Sequence, residues 1–195
     1  VASHFHSLGW NVRGITRSTN TKSALSLASK GISLVTADLD NPTTLYDVFR
    51  DAHVIFAMTD FWAPYFSSFP SLSKVSERAT GEYAMAIEIQ RGKNIVHAVA
   101  ETMREEGSVL ERFVYSTLPS FKELSGGKYT YTYHFDAKAV VSAYLKEKTD
   151  LWERSSLLNM GFYTTNMLKY GGLMGAEKVR CWRLHANSLL RVIWG

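Results

Sequence analysis

At 195 residues, with 46% hydrophobic and 21% charged side chains, the chain has one domain's worth of sequence and enough apolar residues for a packed core, which excludes intrinsic disorder. Its formal charge of +4 is scattered among acids rather than gathered on a basic face, so direct nucleic-acid binding is not expected. The single cysteine, Cys181, cannot close an internal disulfide, no signal-peptide pattern opens the sequence and no apolar run reaches membrane-spanning length, so a reducing cytoplasmic or nuclear setting without membrane contact is expected.

Short apolar runs alternate with longer amphipathic stretches, the pattern of a parallel sheet covered by helices. Residues 1–9 read as the end of a helix closed by Gly9, and Val12 to Thr16 as the strand that follows. A helix is predicted over 21–30, with Ala24, Leu25, Leu27 and Ala28 on its apolar side and Gly31 as its stop, followed by a strand from Ile32 to Thr36. Asp40-Asn41-Pro42 supplies the cap and first turn of a helix running through Leu45, Val48 and Phe49 to near Ala52. Val54 to Met58 is continuously apolar, as expected of a central strand buried on both faces. An aromatic and serine-rich loop, Phe61 to Ser73, leads to a long helix over 76–106, then a strand from Phe113 to Ser116. The next helix starts near His134 and carries Ala137, Val140, Val141, Tyr144 and Leu145 at helical spacing, and Trp152 to Leu158 reads as a further strand. Past Asn166 neither period is clear, which predicts a domain over 1–166 and an irregular basic tail over 167–195.

Several of these segments end in side chains suited to a ligand, and in open α/β sheets ligands bind at the carboxyl ends of the strands. The first is Val-Arg-Gly-Ile-Thr-Arg, a strand ending in Arg17. In a dinucleotide-binding unit that position meets the adenosine ribose, where an acid suits a free 2′-hydroxyl and an arginine a 2′-phosphate. Arg17, with Lys22 a few residues on, therefore points to NADP(H), whose phosphate a guanidinium can grip with two parallel bonds. After Thr36, Asp38 can accept from an adenine amino group while Asp40 caps the next helix. After Met58, the Thr59 hydroxyl and the Phe61 and Trp62 rings can line the route from diphosphate to nicotinamide. Ser116 and Thr117 end the following strand, and His134 and Lys138, four residues apart, share one side of the next helix. That set resembles the serine and Tyr-x-x-x-Lys pair of short-chain dehydrogenases, in which tyrosine is the acid/base and lysine lowers its pKa. Here histidine stands in the tyrosine's place.

Taken together, Thr16-Arg17, Ala37-Asp-Leu-Asp-Asn-Pro42, Thr59-Asp-Phe-Trp62, Gln90-Arg-Gly-Lys-Asn94, Tyr115-Ser-Thr-Leu-Pro-Ser120, Gly127-Lys-Tyr129, His134-Phe-Asp-Ala-Lys138 and Gly161-Phe-Tyr163 with Asn166 resemble the NmrA-like family. Its members are atypical short-chain dehydrogenase relatives, and the wording is nearest to the fungal ones. The resemblance implies a Rossmann-type doubly wound parallel sheet and NADP(H) as cofactor. It implies cofactor contacts at Arg17, Lys22, Asp38, Leu39, Thr59, Phe61, Lys138, Gly161, Phe162 and Tyr163, and Ser116, His134 and Lys138 at the catalytic positions.

Two functions are compatible with it: a redox-responsive regulator with a protein partner such as a transcription factor, or an NADPH-dependent reductase of the isoflavone-reductase kind acting on a small molecule. His134 favours the first, because an imidazole is not the tuned phenol of the dehydrogenases, while Lys138 keeps the second open. The family's first strand and Gly-x-x-Gly-x-x-Gly turn do not occur in the sequence, so the chain is expected to begin part-way through its fold and to hold a pyrophosphate poorly. The six histidines lack metal-ligand spacing, and no metal is expected.

Overall fold

Parallel strands with helices between them realise the predicted alternation. The computed structural model describes residues 1–76 and 78–161. In chain order the elements are α1 (Ala2–Ser7), β1 (Arg13–Thr16), α2 (Lys22–Ala28), β2 (Ser33–Thr36), a 3-10 turn (Pro42–Thr44), α3 (Tyr46–Phe49), β3 (Val54–Ala57), α4 (Trp62–Leu72) and α5 (Ala79–Arg104). They continue with β4 (Arg112–Thr117), α6 (Phe121–Leu124), α7 (Tyr133–Lys146), α8 (Thr149–Glu153) and β5 (Ser155–Asn159). Contacts divide the chain into Val1–Met160 and Gly161–Gly195; Phe162, Tyr163 and the tail expected from residue 167 lie outside the described residues. No described helix is long and apolar enough to cross a membrane.

The strands pair in two parallel sheets, β1-β2 and β3-β4-β5. Register runs from Arg13 opposite Ser33 to Thr16 opposite Thr36 in the first, and places Val54 opposite Arg112 and Tyr115 opposite Leu157 in the second. These are the pairings of the two halves of a Rossmann-type sheet. β1 and β3 are not hydrogen-bonded to each other, so each keeps one unpaired edge among the described residues. Arg13 crosses from β1 to the end of α3, donating from Nη1 to the carbonyls of Val48 (3.1 Å) and Arg50 (3.0 Å).

The core lies on one face of the second sheet. Val96, Val99, Phe113, Tyr115, Val141 and Leu145 are fully buried where α5 and α7 cover β3 and β4. Each such side chain contributes roughly 1.5–3 kcal/mol relative to exposure. The other face of β3 is different: Ile55 and Ala57 are buried, but Val54 and Phe56 are more than a third exposed. The expectation of a strand buried on both faces is therefore corrected to an alternating one. No residue of α1 is buried, leaving Phe5 and Leu8 in solvent, and on α2 Leu25 is exposed while Ala24 is buried. Gly31, at φ +88°, closes α2 as predicted: its N–H donates to Ala28 O (2.9 Å) and that of Ile32 to Leu27 O (3.3 Å), the paired bonds of a Schellman stop.

Two further expectations change. The segment read as a loop over 61–73 is the helix α4, because its aromatics recur at helical spacing and stack on one another. Phe61 lies on Tyr65 (centroids 5.6 Å apart) and Trp62 on Phe66 (5.8 Å), while the serines turn back to α4 carbonyls, Ser68 Oγ to Pro64 O at 2.8 Å. The strand expected over 152–158 is β5, displaced toward the C-terminus. Thr149–Glu153 instead forms a helical turn that buries Leu151.

Gly92 sets the spacing of the two core helices: a Cβ there would lie 2.8 Å from Val141 Cγ1 and closer still to Cγ2. Alanine gains about 1 kcal/mol over glycine in a helix, but overpacking a filled core costs about 1–3 kcal/mol. Because Val141 is fully buried and β-branched, the second effect wins. Gly92→Ala is expected to lower the unfolding free energy by roughly 1 kcal/mol in urea denaturation, and the double variant Gly92→Ala/Val141→Ala to relieve the clash but leave a cavity.

Candidate functional site

Two groups of ligand-suited side chains meet α5, one on each side of the first turn of α4. The first is built around Lys138, at the start of α7. Its Nζ donates to Glu88 Oε1 (2.7 Å), Thr59 O (2.8 Å) and Thr59 Oγ1 (3.0 Å). Glu88, on α5, is fully buried, and only 14% of the Lys138 side chain is exposed. Thr59 Oγ1 in turn donates to Glu88 Oε1 (2.7 Å), so the 3.3 Å contact between Tyr115 OH and Thr59 Oγ1 has the tyrosine as donor. Burial drives the Tyr115 phenol well above its ordinary pKa and the Glu88 carboxylate adds to this, against the opposing effect of the Thr59 hydrogen bond. This phenol therefore stays protonated across the physiological range. Glu88 Oε2 is buried without a hydrogen-bond partner among the described residues.

His134 lies one turn before Lys138 in an aromatic surround: Phe135 at 4.7 Å, Trp62 at 5.1 Å and Phe61 at 5.7 Å between ring centroids. Burial lowers its pKa and the Lys138 charge lowers it further, with Asp136 opposing, so the imidazole is held neutral. Ser116 is buried in β4. Strand alternation turns it away from its neighbours Tyr115 and Thr117, and it is Thr117 whose Oγ1 reaches α7, meeting Ser142 Oγ at 2.7 Å and donating to Lys138 O at 3.2 Å. The expected grouping of Ser116 with His134 and Lys138 is thus replaced by Thr117 with Lys138. Asp136, also buried, accepts from Ser120 Oγ (2.9 Å) and Lys122 N (3.2 Å), tying the segment after β4 to α7.

The second group surrounds a cavity of about 340 Å³ lined by Arg17, Asp40, Pro64, Ser67, Tyr83 and Arg91, among others. Arg91 grips Asp40 with both ends of its fork, Nε to Oδ1 and Nη2 to Oδ2, each 2.7 Å. The Arg91 hydrogen bond and then the Arg91 and Arg17 charges hold the Asp40 carboxyl below its ordinary pKa, while the same bond raises that of the Arg91 guanidinium. Asp40 is therefore an ion-pair partner and not the helix cap expected of it; Asn41 stands at the cap position. Asp38 Oδ1 accepts from Asp40 N (3.0 Å), and Leu39 O accepts from Asn94 Nδ2 (2.8 Å), itself held by Gln90. Lys22, the first residue of α2, is exposed and does not line this cavity. Phe61 is buried beside His134, and Gly161 is exposed.

Glu88, Arg91, Asn94, Tyr115 and Asp136 are site residues to which the sequence patterns assign no role, and Thr117 is named there only beside Ser116. For Glu88 a signal exists: it sits at four-residue spacing between Ala84 and Gly92 on the buried stripe of α5, where a carboxylate needs a partner.

A model of the NmrA-like family matches residues 1–180. Among solved structures the chain is similar to NmrA, a negative transcriptional regulator, in complex with NADP. The two share 19% identity over 85% of this chain and 42% of that one, with a TM-score of 0.60. It is also similar to the Citrobacter sp. triphenylmethane reductase complexed with NADP(H), at 13% identity over 89% and 50% of the two chains and a TM-score of 0.56. A third is the NADPH-dependent quinone oxidoreductase of Escherichia coli complexed with NADPH, at 15% identity over 88% and 48% and a TM-score of 0.55. At these identities the likeness is one of fold. The chain spans about two fifths of NmrA and about half of each reductase.

The His134 environment gives a pH dependence with a defined sign. With its folded pKa below the unfolded value of about 6.5, the folded chain binds fewer protons than the unfolded one between those two values. Stability is therefore expected to be level above about pH 7, to fall as pH drops through about 6.5, and to stop falling on this account below the folded pKa. Urea denaturation across that range should show the loss, and His134→Phe should flatten it.

Proposed function

The chain belongs to the NmrA-like family, and we propose that it forms the dinucleotide-binding part of a protein that takes NADP(H) and relays the cofactor's redox state to a protein partner, such as a transcription factor. The observation that carries the regulatory reading is the state of the would-be catalytic pair. All three Lys138 ammonium protons go to Thr59 and Glu88, and His134 is a neutral, aromatic-packed imidazole. Neither group stands ready to give a proton to a substrate. NmrA, similar in fold, is a negative transcriptional regulator that was crystallised with NADP.

The residues fit the cofactor in a simple division. The cavity at the end of β1 offers two guanidiniums against one carboxylate, a net positive lining suited to the 2′-phosphate, with Arg17 as its contact and Arg91 engaged by Asp40. On this reading Asp38 and Leu39 serve the adenine side, and Thr59, Phe61 and Lys138 the nicotinamide side. When bound, the cofactor supplies hydride chemistry; the chain supplies orientation and a largely apolar wall. The second reading is an NADPH-dependent reductase, favoured by the fold likeness to the two reductases and by the presence of Lys138. NADPH oxidation over a carbonyl and quinone panel, abolished by Lys138→Ala with folding preserved, would favour it.

The cofactor assignment is tested by calorimetric titration with NADPH, NADH and the fragment adenosine 2′,5′-bisphosphate, which probes the Arg17 end alone. A charge-assisted bond contributes about 1.5–3 kcal/mol, so Arg17→Ala is expected to weaken NADPH and the fragment by roughly one to two decades while leaving NADH nearly unchanged. Equal affinity for NADPH and NADH in the unmutated chain would overturn the assignment.

A further inference from the structure

We propose that Glu88 is a positioning residue for Lys138, and that together with Thr59 it turns this lysine into a fixed strut between the end of β3, α5 and α7, withdrawn from acid/base duty. Three observations carry this. An ammonium has three protons, and Lys138 finds three acceptors at 2.7, 2.8 and 3.0 Å, none of them further than an ordinary hydrogen bond. Two of those acceptors belong to one residue, Thr59, so the lysine grips both the backbone and the side chain of the residue just past β3. The third is a carboxylate with no exposed surface whose one ion pair among the described residues is with Lys138. A buried carboxylate without that charge beside it would be left uncompensated, so Glu88 needs Lys138 as much as it directs it.

The arrangement also fixes what the strut carries. Asp60 Oδ1 accepts from Trp62 N (2.9 Å) and opens α4, so anchoring Thr59 sets where Phe61 and Trp62 meet His134. Glu88 acts on those rings through Lys138 and Thr59. For the cofactor site this means that a ribose hydroxyl would have to displace an internal acceptor to reach Lys138. That consequence rests on the proposed nicotinamide side, but the test of the strut needs no dinucleotide.

Ammonium-selective proton–nitrogen correlation spectra of the isotope-labelled 195-residue chain, recorded without ligand at neutral pH, read the strut directly. Exposed lysine ammonium protons exchange with water too fast to be seen. Lys138 is expected to give a protected signal, identified by its loss in Lys138→Met. In Glu88→Gln, which keeps the shape and removes the charge, exchange is expected to quicken at least tenfold while backbone dispersion is retained. Thr59→Val, which removes one acceptor and leaves Thr59 O, serves if the glutamine variant does not fold, and is expected to quicken exchange less. Absence of a protected signal in the folded unmutated chain, or unchanged exchange in folded Glu88→Gln, overturns the proposal. Failure to bind NADPH would overturn the cofactor reading and leave this result standing.

Discussion

A carboxylate buried without any exposed surface is the constraint on which the rest of this structure depends. Glu88 lies where β3, β4, α5 and α7 converge, and a lone charge there would be strongly unfavourable. The solution is local and dense: a lysine from α7, a hydroxyl from the residue after β3 and, through that hydroxyl, a phenol from β4. Each bond joins a different element, so the polar cluster fixes their relative placement, whereas the surrounding apolar contacts mainly supply burial. Replacing such a pair with apolar residues is often neutral for stability. Its value here lies in specifying one arrangement.

α5 organises both ends of the candidate site from a single stretch. Within seven residues, Glu88 holds Lys138, Arg91 holds Asp40, Asn94 holds the Leu39 carbonyl, and Gly92 lets α7 approach closely enough for the first of these bonds. Successive helical positions point about 100° apart, which is how one helix serves the Asp40 cavity, the Lys138 cluster and the α7 packing face together. The Gln90-Arg-Gly-Lys-Asn94 segment reads, in these terms, as a positioning device for the segment after β2, which it holds through Asp40 and the Leu39 carbonyl.

The sequence patterns that depend on local chemistry were legible. Gly31 as a helix stop, the β1 to β4 strands and the apolar stripe of α7 through Ala137, Val141 and Leu145 follow from periodicity and capping alone. What was not legible depends on partners distant in sequence. Asp40 reads as a cap because it precedes Asn41-Pro42, yet its partner is Arg91, fifty-one positions on. Ser116 reads as the functional hydroxyl by analogy, yet the pleat of β4 turns Thr117, not Ser116, toward α7. The α4 segment reads as a loop because serine and proline lower helix propensity, and the stacking of its aromatics offsets that. Val54 and Phe56 show a simpler limit: an apolar run signals capacity for burial on both faces, and burial itself requires an element to cover each.

If Glu88 and Lys138 act as one unit, their coupling is measurable in a double-mutant cycle. Unfolding free energies would be measured in urea for the unmutated chain, Glu88→Gln, Lys138→Met and the double variant. Removing one partner of a buried pair typically costs about 3–5 kcal/mol, because it strands the other. Each single variant is therefore expected to be strongly destabilised, and the double variant to cost clearly less than the sum, by at least about 1.5 kcal/mol. Additive losses within about 0.5 kcal/mol would rule this coupling out, since they would mean that the two side chains contribute independently.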